Sequence, residues 1–302
     1  MRRKDRREFY STRCNWGVLA LFLTDGGTHA FKNVEVYVRY GRDDRSGEIG
    51  WRRRHMIFES IEEVQQYCIR ETPLSLEFCR IFPTQPESSL LSTQEYRDFM
   101  HTRQDSFLLR HILAFDWDID DDLRQRWGGC TCGEKDICAL CWTAFAEPAR
   151  AALDRVLTYW MGFKHLQFTY SGRRGFHVWV LDKGTRELTE EQRRVIIDKV
   201  TNIPLKSLLY HDIYPILQHY YDRYHLAMPA IDYGPWEILY TLDIPVTAKV
   251  NHAVALPLTP HAKTGNMRLP LTVPFDPIAD AVKCNALSYE ELAVFGKLFI
   301  RK

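Results

Sequence analysis

The sequence lacks any apolar run approaching the ~20 residues that span a bilayer. No hydrophobic segment stands behind the charges of its start, MRRKDRREFY. Neither a membrane-spanning helix nor a secretory leader is expected, and the reading is of an intracellular protein with no membrane partner. A strong net charge is also missing. The formal value is +1, so any site for a polyanion has to be built from local basic clusters. The glycine patterns of dinucleotide-binding and Walker-type folds are absent, as are internal repeats and low-complexity tracts. What remains is ordinary for a globular protein: 302 residues, 45% hydrophobic and 26% charged, room for one large domain or a main domain with a small insertion. Arg2, Arg3, Lys4, Arg6 and Arg7 form one basic cluster, read first as a frayed, solvated tail and second as an import or DNA-contact segment.

Eight cysteines divide unevenly. Cys14, Cys68, Cys79 and Cys284 are scattered and read as small buried apolar residues. Cys130, Cys132, Cys138 and Cys141 fall in one short stretch, GGCTCGEKDICALCW. In an intracellular chain, tetrahedral Zn²⁺ explains four clustered thiols better than disulfides do. Cys138 and Cys141 have the usual knuckle spacing, whereas Cys130 and Cys132 are tighter, which leaves room for one substituted ligand. Four thiolates leave no open position for chemistry, so the expected zinc is structural.

Alternation predicts a strand over Val34–Tyr40, and residues 41–54 read as a charged loop. Ser60 with Glu63 opens a helix through Arg70, Thr189 with Gln192 caps one running to about Thr201, and Ser288 with Glu291 opens a C-terminal one. Helical spacing covers Ala149–Met161 up to Gly162, and a second helical region, interrupted near Pro215, runs from Lys206 towards Met228. Leu166–Tyr170 and Phe176–Leu181 read as two strands joined by a glycine-cornered turn, and Trp236–Ile244 as a strand carrying Asp243. The elements interleave without a strict βαβ rhythm, giving an α+β fold with a mixed or antiparallel central sheet.

Three constellations carry chemistry. In RHILAFDWDID, Asp116 and Asp118 lie two apart at a strand end, so both carboxylates share one face. A divalent Mg²⁺ or Mn²⁺ ion between them is the natural reading, against a polar strand end running on into an acidic loop. SGRRGFH, from Ser171 to His177, combines two glycines with Arg173 and Arg174. Guanidinium forks suit phosphate, and His177, placed in an otherwise apolar strand, becomes a triphosphate ligand beside them. A charged hairpin tip is the plainer reading. Residues 241–270 add Asp243 and then Lys249, His252, His261, Lys263 and Arg268. Nucleotidyl transfer needs two or three carboxylates for two metal ions, with cations over the triphosphate, and all those parts are present.

With these residues in view, the chain resembles the catalytic small subunit of archaeal and eukaryotic replicative DNA primase. The resemblance rests on AFDWDID, DICALCW, GFKHLQFTYSGRRGFHVWV, YGPWEI, LDIPVTAKVNH, PHAKTG and FDP, in the family's order over roughly Val34 to Asp276. It implies an α+β primase core containing an RRM-like sheet, spanning residues 1–302 as one domain. A zinc knuckle at 128–143 and a reduced helical insertion at 203–232 would lie within it. It implies that Asp116, Asp118 and Asp243 hold two catalytic Mg²⁺ or Mn²⁺ ions. Ser171, Arg173, Arg174, His177, Arg39, His261 and Lys263 would meet the nucleotide, and the four clustered cysteines would hold Zn²⁺. Template-directed RNA primer synthesis on single-stranded DNA from NTPs would follow, beside a large primase subunit and with a replicative polymerase or helicase as further partner. The nucleus, a site of viral DNA replication or an archaeal cytoplasm would be its location.

Two other functions are weighed: a self-sufficient primase-polymerase extending with dNTPs in repair, and an idle zinc-containing nucleic-acid-binding subunit. The presence of every expected metal carboxylate speaks against the idle one. The chain departs from the family at Ala255, in HAVALP, where the family has a basic residue. It also places Thr131 between the first two zinc cysteines and keeps the segment from Ile203 to Tyr233 short. The DICALCW knuckle is closer to eukaryotic versions, and a divergent eukaryotic lineage or a large DNA virus fits a trimmed chain.

Overall fold

Val34, Val36 and Val38 are buried on one side of strand β1 (Val34–Gly41), as the alternation in VEVYVRY predicts. The computed structural model describes residues 2–41, 51–85, 109–119, 132, 137–202, 208–223, 241–250, 252–271 and 280–300. Antiparallel to β1 run β2 (Trp51–Ile57) on one side and β3 (Ser75–Ile81) on the other, and β3 also pairs with the short β7 (Val254–Ala255). The sheet order is β2-β1-β3-β7. Residues 51–54 thus belong to a ladder rather than to the charged loop expected over 41–54, of which 42–50 lie outside the described residues. A strand at a sheet edge carries charge readily, which made β2 look like a loop.

A second antiparallel sheet, ordered β4-β6-β5, comprises β4 (Leu113–Asp118), β5 (Leu166–Tyr170) and β6 (Gly175–Val180). The fold is therefore α+β, with every ladder among the described residues antiparallel. One face of this second sheet buries Phe115, Trp117, Phe176 and Val178 against a long helical run. That run starts at Ala139–Cys141, passes a π-helical turn at Trp142–Ala146, continues as α4 (Glu147–Arg155) and ends in π-helical Val156–Trp160. It begins ten residues before the expected Ala149, because Cys138 caps it. The opposite face sends Ala114 and Trp179 into a second core with β1, α2 (Trp16–Leu23) and α3 (Ile61–Glu71).

The caps hold as read, with one difference. Ser60 accepts from the Glu63 amide, but the Glu63 carboxylate returns to the Glu59 amide at 2.8 Å, one residue earlier than a capping box requires. Helix α5 (Glu190–Thr201) and the C-terminal helix α8 (Tyr289–Gly296) carry full capping boxes. The basic start is no frayed tail: it forms α1 (Arg3–Glu8), with Arg6 buried and donating to the Thr72 carbonyl at 3.0 Å. Cys14, Cys68, Cys79 and Cys284 are buried, as expected. No helix among the described residues is long and apolar enough to cross a membrane.

Two further expectations are corrected. Helix α6 (Leu208–Arg223), within the expected insertion, runs straight through Pro215. Full burial of Ile213 and an Arg155–Asp212 ion pair at 3.1 Å hold it to α4 across the missing amide donor. The described end of the strand expected over Trp236–Ile244, residues 241–244, does not form one. Residues 236–240 lie outside the described ones, Leu242 makes a single bridge to Trp117, and Asp243 caps α7 (Ile244–Ala248). Pro245 cannot donate to a ladder and suits the first helical turn, so the chain turns helical there.

Candidate active site

The period of two along β4 turns Phe115 and Trp117 into the helical core and Asp116 and Asp118 to the other face. Across the ladder, Asp116 faces His177 and Asp118 faces Gly175, while Thr169 on β5 stands opposite His177. A row Asp116–His177–Thr169 therefore crosses the sheet. Asp243 comes from a distant stretch of chain, and its amide donates to the Asp116 carbonyl at 2.8 Å. The three carboxylates read from the sequence are thus brought to one sheet end.

That clustering has an electrostatic cost. Burial, and then the charges of Asp118 and Asp243, push the Asp116 carboxyl up to about 8, against an opposing pull from Arg268. The side chain is still 31% exposed, so the cluster opens to one side. Asp118 and Asp243 thus raise the proton affinity of Asp116, and hard carboxylate oxygens under such like-charge repulsion are the donor type that suits Mg²⁺ or Mn²⁺. His177 lies with Nε2 3.5 Å from Asp116 Oδ1. Burial and Arg268 push its pKa down to about 3, so it stands as neutral imidazole. His261 is pushed down to about 2 by burial and then by Arg268, Arg173, His177 and Lys263.

The Ser171–His177 segment is a tight turn entering β6. Ser171 Oγ accepts from the Gly175 amide at 3.2 Å, and the Ser171 amide donates to the Gly175 carbonyl at 2.9 Å. Gly172 has φ +92°, and a Cβ there would lie 2.4 Å from His261 Cβ; one at Gly175 would lie 1.8 Å from the Trp117 carbonyl oxygen. Both glycines are required by close approach. Thr264 Oγ1 at 2.6 Å and Asn266 Nδ2 at 3.2 Å donate to the Gly172 carbonyl, clamping the turn to the loop that carries His261. Arg174 Nη2 is 3.3 Å from Asp118 Oδ2, joining the arginine pair to the carboxylates.

Lys263 is exposed on the same loop, near enough to act on His261. Arg39 belongs to the other sheet, where its Nη2 pairs with Glu77 Oε1 at 2.7 Å. The link between the two groups is Arg268, which feels both Arg39 and Asp116. The sequence placed Arg268 in the third constellation but gave no reason to prefer it to Lys249 or Lys263. Its burial is what sets it apart, and nothing in the local pattern announces that.

Of the four cysteines read as zinc ligands, Cys130 lies outside the described residues. Cys132, Cys138 and Cys141 have their sulfurs within 4.8 Å of one another. The Cys132–Cys141 separation is 3.7 Å. Bonds of ~2.3 Å at a tetrahedral angle place sulfurs about 3.8 Å apart, so the three fit a zinc ion.

Comparison with known proteins agrees with this geometry. A family model described as DNA primase small subunit matches residues 115–273. The DNA primase small subunit of Schizosaccharomyces pombe is 31% identical over 146 residues, covering 47% of this chain and 29% of the yeast protein. That of Saccharomyces cerevisiae is 27% identical over 194 residues, covering 61% and 44%. The DNA primase small subunit PriS of Pyrobaculum calidifontis is 26% identical over 233 residues, covering 74% and 68%. The matched stretches span less than half the length of either yeast protein. A solved polymerase domain from Mycobacterium tuberculosis ligase D in complex with DNA covers 97% of this chain and 87% of its own at a TM-score of 0.44 and 13% identity, too slight a likeness to argue from.

Proposed function

The chain belongs to the DNA primase small subunit family, and from that premise we propose that it synthesises short RNA primers on single-stranded DNA by metal-assisted nucleotidyl transfer. The observation that carries this reading is the meeting of Asp116, Asp118 and Asp243 with the arginine turn, sealed by the Arg174–Asp118 contact at 3.3 Å. Asp116, Asp118 and Asp243 would hold two Mg²⁺ or Mn²⁺ ions. When bound, such ions lower the pKa of the attacking 3′-hydroxyl and offset charge on the α-phosphate and the departing pyrophosphate.

The remaining roles fall to this chain's own groups. Arg173 and Arg174 would fork onto the triphosphate and hold it in line, with Arg39, Lys263, Ser171 and His261 completing the seat. His177, kept neutral, can hydrogen-bond a phosphate oxygen or the Asp116 carboxylate without adding charge. Cys132, Cys138 and Cys141, with Cys130, would hold a structural Zn²⁺ that fixes the start of the helical run under the sheet. NTPs, a single-stranded template and a large primase subunit are the partners this role calls for, inside the compartment where the genome is copied.

The test is incubation with single-stranded template, Mg²⁺ or Mn²⁺ and either ribo- or deoxyribonucleotides, with and without an annealed primer. Ribonucleotide primers made without an added primer, or ribonucleotide extension of one, support the reading. Efficient priming with deoxyribonucleotides alone favours a self-sufficient primase-polymerase, and no incorporation of either class under any of these conditions overturns both.

A further inference from the structure

Arg268 is 4% exposed, yet its hydrogen bonds to the described residues all come from one nitrogen. Nη1 donates to the Pro260 carbonyl at 2.8 Å, the Thr259 carbonyl at 3.4 Å and Thr259 Oγ1 at 3.2 Å. Nε is fully buried and has no hydrogen-bond partner among the described residues. His177 Nδ1, on a side chain that feels the Arg268 charge, is a second such atom. Two buried polar atoms without partners in one neighbourhood point to a ligand.

The charge balance says what kind. A buried guanidinium needs counter-charge. Glu77 is the carboxylate acting most strongly on Arg268, but it is already engaged by Arg39 at 2.7 Å. Arg268 and Arg39 thus both act on Glu77, and Asp116 is the other carboxylate whose charge reaches Arg268. This buried guanidinium, its Nε without a partner among the described residues, lies within reach of Asp116, where phosphate oxygens would be expected.

Strand β7 adds a second observation. Ala255 stands directly opposite Glu77 on β3, so the two side chains share a sheet face. A long cation at position 255 would reach the same carboxylate, and here there is only a methyl group. Arg268 arrives instead from a hairpin fixed by Leu258 N–H to Arg268 O at 2.8 Å and Arg268 N–H to Thr259 O at 3.1 Å.

We propose that Arg268 is a ligand of the nucleotide triphosphate and supplies, from this hairpin, the cation that Ala255 leaves out on β7. The inference rests on the nucleotidyl-transfer reading and goes one residue beyond it. Lys249 and Lys263, both exposed, are not needed for that place.

The test titrates Mg²⁺–ATP, and separately labelled single-stranded DNA, into wild type, Arg268→Gln, Arg174→Ala, Ala255→Lys and the Arg268→Gln/Ala255→Lys double variant, with melting curves for each. Arg268→Gln is expected to weaken ATP binding roughly ten- to a hundred-fold, as loss of a charge-assisted contact does, with template affinity unchanged. Ala255→Lys alone should not tighten ATP binding, whereas in the double variant it should restore part of the loss. A folded Arg268→Gln protein that binds ATP like wild type, while Arg174→Ala does not, overturns this inference and leaves the nucleotide reading standing. No ATP binding by wild type overturns both. If Arg268→Gln fails to fold, Ala255→Lys decides: tighter ATP binding from that change alone would show that the place was unfilled.

Discussion

His177 Nε2 lies 3.5 Å from Asp116 Oδ1, the two residues standing directly across the β4–β6 ladder. The pair is held in unusual protonation states, with Asp116 raised to about 8 and His177 lowered to about 3. Without a bound cation, Asp116 therefore keeps its proton at neutral pH. Mn²⁺ binding has to displace that proton. Its apparent affinity should rise with pH by up to about tenfold per unit and level off above about 8. Calorimetric titration at pH 6.5, 7.5 and 8.5, in buffers of different ionisation enthalpy, reads both the affinity and the released proton. A flat profile would remove Asp116 from the metal site. Asp116→Ala, Asp118→Ala or Asp243→Ala should each abolish primer synthesis while the protein stays folded.

Arg174 bridges the arginine turn and the metal carboxylates through its contact with Asp118. Arg174→Ala should raise the nucleotide KM or lower kcat by roughly ten- to a hundred-fold, equivalent to ~1.5–3 kcal/mol, with template affinity little changed. A selective loss of DNA binding would place this arginine on the template instead.

Much of this site was legible in the sequence because its signals are local. Strand alternation put Asp116 and Asp118 on one face, and glycines flanking two arginines marked a tight turn. What was not legible depends on distant packing. Pro215 reads as a break, but the burial of Ile213 overrides it. Asp243 reads as a strand residue, but Pro245 two positions later makes it a cap. Arg268 looks like any loop cation until the fold closes over it. The basic start was misread for the same reason, since the buried Arg6 donates to the Thr72 carbonyl, 66 residues away.

The glycines of the turn give a purely steric prediction. A methyl at Gly175 would meet the Trp117 carbonyl at 1.8 Å, on the ladder that places Asp118. Gly175→Ala should cost about 1–3 kcal/mol or more and reduce synthesis along with stability. Melting temperature and activity should fall together. An unaltered melting curve would show that β4 and β6 can part without harm.

Zinc should be found at one ion per chain in protein purified without added metal. Cys138 caps the helical run that carries buried Trp142 and Phe145, so the site fixes the start of a core element. Cys138→Ser should therefore lower stability or solubility rather than turnover alone. A stable, soluble, inactive variant would move the cluster into the chemistry.

The buried histidines and Asp116 together set the pH of maximum stability. His111, His177 and His261 are all held below their ordinary pKa of 6.5, chiefly by burial, His177 near 3 and His261 near 2. Below about pH 6.5 the unfolded chain takes up protons on these rings that the native state refuses, so stability falls as pH falls. Asp116 acts in the opposite sense: its native pKa of about 8 exceeds its ordinary 3.8, and the native state binds the extra proton between those values. Its stabilisation is therefore lost progressively as pH rises from about 4 to 8, and above about 6.5, where the histidines no longer oppose it, that loss sets the net slope. Metal-free protein should be most stable near neutrality, with a net uptake on unfolding that rises to about two protons by pH 5. Urea unfolding at pH 5, 6.5 and 8 measures this. Saturating Mn²⁺ should abolish the decline above 6.5 and leave the acid limb in place, because the ion removes the like-charge repulsion at Asp116 and does nothing for His111.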